Sequence, residues 1–169
     1  IIINPLVSKN IYKLTKLEKN NHKFTLLIVG GSQGAYIFDK NLKKSIVNIS
    51  KKNPIKIIQQ TREKNIPFLT KFYSKNNIEH KIFSFDKNFA SSIQQADLCI
   101  TRSGASTLAE LSLLNIPFIA VPLPTSKDNH QLENANFYKK KECCWVIEQN
   151  YFDEKIEELL IHILNNKTD

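Results

Sequence analysis

The chain has 169 residues, 41% hydrophobic and 24% charged, a size and balance that fit one soluble globular domain with a real core. Its apolar runs fall short of the roughly 20 residues a membrane-spanning helix needs, and no signal-peptide pattern opens it. The net charge is +8, yet only Arg62 and Arg102 among the 24 basic residues are arginines. The lysines are scattered, with Lys139-Lys140-Lys141 the single triple, so the charge reads as a solvated surface and not as a nucleic-acid footprint. A modest attraction to anionic lipid or to a phosphorylated substrate is compatible with it.

Residues 1–23 read as an entry linker with a short helix, broken at Asn20-Asn21-His22. The chain contains no methionine and opens on Ile1-Ile2-Ile3-Asn4-Pro5. These features lead to the expectation that it is one piece of a longer, intracellular protein.

From residue 24 onward strand and helix patterns alternate. Strands are expected at 24–29, 55–60, 80–85, 97–101, 117–121 and 144–148. Several are continuous β-branched runs, as expected where both faces of a sheet are covered. Helices are expected at 34–50, 67–75, 88–96, 104–115, 129–141 and 153–165. In the first helix Ala35, Phe38, Leu42, Ile46 and Ile49 recur at spacings of three and four, marking a core-facing stripe. The expectation is an α/β domain over 24–169: a Rossmann-like open parallel sheet with helices on both faces. Cys99 and one of the vicinal pair Cys143-Cys144 fall in strands. Three cysteines at this spacing form neither a disulfide framework nor a metal motif.

Two small-residue turns carry the chemistry. The first strand runs into Gly30-Gly31-Ser32-Gln33-Gly34-Ala35, and the fourth into Thr101-Arg102-Ser103-Gly104-Ala105-Ser106-Thr107. Each joins a buried strand to a helix, where unobstructed backbone N–H groups can meet an anion. Two such turns predict a phosphate-bearing ligand across the carboxyl ends of the sheet. At about 100° per residue, Ser103, Ser106, Thr107 and Glu110 share one arc of the following helix. Ala105, Leu108, Ala109, Leu111 and Ser112 take the opposite side, facing the sheet. Glu110 is therefore placed to accept hydrogen bonds from a vicinal diol such as ribose. After the fifth strand, Pro122 to Ala135 brings Asp128, Asn129, His130 and Gln131 to the same rim, where amide and imidazole suit a hydroxyl-rich ligand. The glycine turn matches neither GxGxxG nor a P-loop, and no nucleophile triad or metal cluster appears.

Taken together, Gly30 to Ala35, Ala96-Asp97 with Arg102 to Ala105, Thr107 with Glu110, and Asp128 to Ala135 resemble the C-terminal lobe of the MurG family of bacterial peptidoglycan glycosyltransferases. The resemblance runs from Asn4-Pro5 to the helix near Ile163. It implies the donor half of a two-lobed GT-B enzyme that transfers N-acetylglucosamine from UDP-N-acetylglucosamine to undecaprenyl-diphosphate-linked muramoyl-pentapeptide, turning lipid I into lipid II. It further implies that Ser32, Gln33 and Gly34 meet the diphosphate and sugar, and that Phe85 and Asp86 form the loop at the uracil, with Phe89 nearby. Arg102, Ser103, Gly104, Ala105 and Thr107 make the second turn, Glu110 holds the ribose, and His130 and Gln131 read the sugar hydroxyls. Gln60-Thr61 lie on the same rim. No catalytic residue falls in this lobe, and no metal or other cofactor is implied. Lipid I would be bound through the amino-terminal lobe, and the parent would sit on the cytoplasmic face of an anionic membrane. One departure stands out: Asn4-Pro5-Leu6-Val7-Ser8 lacks the arginine that usually ends this hinge, a role left to Lys9 or Arg102. Two other readings remain, a separate UDP-sugar-binding subunit and a non-catalytic remnant.

Overall fold

The computed structural model describes residues 7, 11, 23–31, 36–87 and 89–166. Six strands form one parallel sheet: β1 (Phe24–Val29), β2 (Ile55–Gln60), β3 (Glu79–Phe83), β4 (Leu98–Thr101), β5 (Phe118–Ala120) and β6 (Cys144–Val146). Their order is β3-β2-β1-β4-β5-β6, every neighbouring pair parallel. The chain builds outward from β1 to β3, then returns to lay β4 against the free side of β1. That reversal leaves a crevice beyond the carboxyl ends of β1 and β4, where open α/β sheets bind ligands.

Helices α1 (Tyr36–Ser50), α2 (Ile66–Lys75) and α6 (Phe152–Asn165) cover one face, and α3 (Phe89–Gln95), α4 (Ala105–Leu113) and α5 (His130–Lys139) cover the other. Side chains alternate across the sheet with period two. Leu26, Ile28, Ile57, Ile100 and Ile119 therefore meet Phe38, Leu42, Ile46, Tyr73, Phe152 and Ile156, while Leu27, Val29, Ile58, Cys99 and Phe118 meet Ile93, Leu108, Leu111 and Ala135. Each such fully buried large side chain contributes roughly 1.5–3 kcal/mol.

The expected stripe of α1 is buried at Phe38, Leu42, Ile46 and Ile49, while Ala35 lies outside the described residues. The first two strands keep their expected bounds, and the other boundaries move by at most two residues. The third strand ends at Phe83, because Thr61 N–H donates to the Phe83 carbonyl at 2.8 Å and the chain then turns away. Ile11, within the segment read as a linker, is buried among Leu27, Val29 and Ile58, and Val7 packs against the same cluster. Asp97, part of the sequence motif, acts at the far end of the sheet, where its carboxylate accepts the Thr25 N–H at 2.7 Å.

Candidate functional site

Both glycine-bearing turns fall at the strand-order reversal. Val29 and Thr101 are register partners, and the Arg102 N–H reaches the Val29 carbonyl at 3.3 Å. The chain has four glycines, and all lie in these two turns. Gly31 has φ +78, which glycine alone adopts without strain. Ser32, Gln33, Gly34 and Ala35 lie outside the described residues.

Gly104 differs from Gly31. It is the N-cap of α4 with φ −69 and ψ 131, a conformation open to any residue, and as glycine it brings no capping side chain of its own. A Cβ there would meet nothing within 4 Å among the described residues. Neither backbone strain nor packing calls for glycine, and what its bare Cα leaves is room beside the N–H groups of the first turn. Those groups and the helix dipole attract an anion. Ala105 and Ser106 are exposed here, and Thr107 and Glu110 half-buried. Ala105 thus faces solvent, not the sheet, and Leu108 and Leu111 alone form the buried stripe of α4. Ser103 is fully buried instead of sharing the polar arc, because it precedes the N-cap and helical periodicity does not reach it. Among the described residues its Oγ has no hydrogen-bond partner.

The fifth strand's loop is tied onto this turn. Gln131 Oε1 accepts the Ser103 N–H at 3.3 Å and the Leu123 N–H at 3.0 Å, and Asn134 Nδ2 donates to the Ser103 carbonyl at 3.1 Å. Two backbone donors fix the carboxamide, so Gln131 offers its Nε2 as a donor. At His130, Nδ1–H donates to the Lys127 carbonyl at 2.6 Å, which leaves Nε2 of the neutral ring as an acceptor. Adjacent donor and acceptor match a hydroxyl, which does both. Asp128 and Asn129 reach this rim through left-handed backbone, φ 50 and 54, of the kind that clusters at functional sites.

The Arg102 guanidinium donates to the Val121 carbonyl at 3.1 Å, the Pro122 carbonyl at 3.3 Å and Gln149 Oε1 at 2.6 Å. It lies over the Phe38 ring, 5.3 Å from the centroid, and burial lowers its pKa. On the far side, Phe85 is 77% exposed at the tip of the β3–α3 loop. Asp86 holds that loop, accepting from Lys81 Nζ at 2.7 Å and Ser92 Oγ at 3.0 Å, while Phe89 packs on Phe83 at 6.4 Å between centroids.

Sequence patterns missed a buried polar network under the start of α1. The Asp39 carboxylate accepts from Gln59 Nε2 at 2.8 Å, Thr61 Oγ1 at 2.6 Å and Asn65 Nδ2 at 2.9 Å, and Tyr73 OH donates to Gln59 Oε1 at 2.7 Å. Thr61 therefore turns its hydroxyl inward, away from the rim on which it was expected. Among the described residues no group of three His, Cys, Asp or Glu side chains could hold a metal ion, and no helix is long and apolar enough to cross a membrane.

A six-stranded open parallel sheet with helices on both faces, its order reversing at β1 and β4, defines a Rossmann-like α/β lobe. Residues 25–169 match the glycosyltransferase family 28 C-terminal domain, and the chain belongs to that family. It is 44% identical over 99% of its length to the UDP-N-acetylglucosamine–N-acetylmuramyl-(pentapeptide) pyrophosphoryl-undecaprenol N-acetylglucosamine transferase of Pelagibacter ubique, and 38% identical over 88% to the protein of that name from Rickettsia massiliae. It spans 48% and 40% of those proteins, about half the length of the curated relatives it matches. Among solved structures, Acinetobacter baumannii MurG superposes with a TM-score of 0.77 at 26% identity, over 88% of this chain and 43% of that one. The solution structure of ALG13 shares the fold at a TM-score of 0.59 and 13% identity, over 87% of this chain and 88% of that one.

Proposed function

We propose that this chain is the donor-binding half of an inverting N-acetylglucosaminyltransferase that converts lipid I to lipid II in peptidoglycan synthesis. The observation that carries this reading is Gly104: an unstrained glycine at a helix N-terminus, with nothing among the described residues within 4 Å of where its side chain would be. Around it, the names of the curated relatives supply the substrate, UDP-N-acetylglucosamine.

In this reading the N–H groups of Ala105, Ser106 and Thr107 face the diphosphate, together with the turn of Ser32, Gln33 and Gly34. As the glycosidic bond to the diphosphate breaks, negative charge grows on the leaving oxygen. Preorganised amides and the α4 dipole stabilise that charge without reorganising, and no metal enters the step. Glu110 accepts from the ribose diol, and the loop of Phe85 and Asp86 receives the uracil. The Gln131 amide donates to a sugar hydroxyl that in turn donates to His130 Nε2. The acceptor, its activating base and the contact with an anionic membrane on the cytoplasmic face belong to an amino-terminal lobe. The segment ahead of β1 is read as the link between the lobes, and of it Ile11 and Val7 pack on this one.

Calorimetric titration with UDP and with UDP-N-acetylglucosamine tests the reading. Both are expected to bind, and Glu110→Ala to weaken both by about 1–3 kcal/mol, the scale of a lost partner for buried hydroxyls. No heat with either ligand at millimolar concentration would overturn it. Transfer to a lipid-linked acceptor is expected only once an amino-terminal lobe is supplied.

A further inference from the structure

We infer that Arg102 is a positioning residue for the sugar, and that it acts through the β5–α5 loop and not through the diphosphate. The inference rests on the donor-binding reading above. Arginine in a turn that meets phosphate would ordinarily be assigned to the phosphate, since its fork suits bidentate contact with oxygen anions. Here the fork is already engaged. One terminal nitrogen is shared by the carbonyls of Val121 and Pro122, the other is held by Gln149 Oε1, and the Phe38 ring lies over the guanidinium face.

Those two carbonyls matter because of where they stand. Ladder pairing of β5 ends near Val121, whose N–H reaches the Thr101 carbonyl at 2.8 Å. Beyond it the chain must leave the sheet, and Val121 and Pro122 are buried. Carbonyls buried past the end of a strand need donors, and Arg102 supplies both. The next residue is Leu123, whose N–H fixes Gln131 Oε1 from one side while the Ser103 N–H fixes it from the other. Arg102 and Ser103 are neighbours, so β4, the β5 exit and the start of α5 close into one hydrogen-bonded ring. Gln149, ahead of α6, braces the ring from outside. The direction of the Gln131 Nε2–H bond, and the seat of His130 beside it, follow from that ring.

Lysine has the charge but one ammonium on a flexible stem, and it cannot reproduce a planar fork meeting three acceptors. The test is binding of three ligands, UDP, UDP-N-acetylglucosamine and UDP-N-acetylgalactosamine, to wild type, Arg102→Met, Arg102→Lys and Gln149→Leu. For Arg102→Met the expected result is UDP affinity within about twofold of wild type, and UDP-N-acetylglucosamine affinity down about tenfold, the scale of one misplaced hydrogen bond. Discrimination against the galacto epimer should fall with it. Arg102→Lys should restore little, and Gln149→Leu, which leaves the two carbonyl contacts, should shift the same ratios by a smaller factor. Hydrogen exchange should quicken across Leu123–Gln131 and stay unchanged across Ser84–Lys87.

An equal loss of UDP and UDP-N-acetylglucosamine would overturn the inference in favour of a direct phosphate contact. Unchanged sugar discrimination in a folded variant would overturn it outright. Should Arg102→Met fail to fold, Gln149→Leu decides by the same ratios. Failure of wild type to bind either nucleotide would instead strike the donor-binding reading itself, so the two failures are distinguishable.

Discussion

The two sides of the crevice are held by charges of opposite sign. On the β1–β2 side a buried carboxylate, Asp39, gathers donors from Gln59, Thr61 and Asn65. On the β4–β5 side a guanidinium, Arg102, gathers acceptors from Val121, Pro122 and Gln149. The difference follows from what each side leaves unsatisfied. Asp39 sits in the first turn of α1, where the helix dipole favours negative charge and side-chain donors from the end of β2 converge. The exit from β5 presents backbone carbonyls, which only a donor can satisfy. One anchor is internal and joins side chains to one another. The other grips main chain that leads directly into the rim. The first should therefore govern stability and the second ligand geometry.

The largest expected effect breaks the stability side of this comparison. Asp39→Ala strands Gln59 Nε2, which is fully buried, together with the Thr61 hydroxyl. About 3 kcal/mol should be lost in urea unfolding, because each buried donor keeps its desolvation cost without its partner. Asp39→Asn, which keeps an acceptor, should lose about half as much. A loss below about 1 kcal/mol for the alanine variant would show that the network is not what holds α1 to β2.

The network was not visible in the sequence, whereas the sheet around it was. Residues 24–29 are a largely apolar run and 55–60 carry three β-branched isoleucines, patterns that depend on their own side chains alone, and both strands occur at those bounds. The α1 stripe was legible for the same reason. Asp39 adjoins Phe38 on the stripe's flank, and nothing local distinguishes it from a solvated helix aspartate. Its partners come from β2 and the turn beyond, and only the parallel register that sets Gln59 beside Ile28 brings them under it. The second turn was legible as a turn and misread in detail at Ser103 and Ala105. Helical periodicity was extended across an N-cap there, and the backbone changes direction at Gly104. The part Arg102 plays could not be read at all, since two of its three acceptors are main-chain carbonyls that carry no sequence signal and the third, Gln149, lies 47 residues away.

Alkaline pH sharpens the comparison at intermediate size. Tyr73 belongs to the Asp39 side, and burial first, then the charge of Asp39, raises its phenol pKa well above the ordinary 10.0. The folded state keeps this proton while the unfolded chain releases it, so the part of stability that Tyr73 controls is full below pH 10 and declines above it. The slope for one proton is about 1.4 kcal/mol per pH unit. Burial raises Cys99 in the same direction from 9.0, so the decline begins near pH 9. Tyr73→Phe should cost about 1 kcal/mol at neutral pH by leaving Gln59 Oε1 unpaired, and should flatten the slope above pH 10. The slope between pH 9 and 10 should persist in that variant and weaken in Cys99→Ala. If Tyr73→Phe leaves the slope above pH 10 intact, the phenol is not held protonated by the fold.

The smallest effect on stability is the most informative about ligand. Gly104→Ala gives up a little of glycine's advantage over alanine at an N-cap and gains by restricting the unfolded chain, so folding should stay within about 1 kcal/mol of wild type. Beyond its chain neighbours, no atom of the described residues lies within 4 Å of the new Cβ, so none of them has to move. A diphosphate seated on the α4 amides does have to move, because the methyl group would occupy its approach. UDP binding should therefore weaken at least tenfold in a protein of unchanged stability, a separation that neither Asp39→Ala nor Tyr73→Phe can produce. Undiminished UDP binding in Gly104→Ala would place the anion elsewhere along the crevice. It would also remove the reason for a glycine at a position whose backbone and neighbours accept any residue.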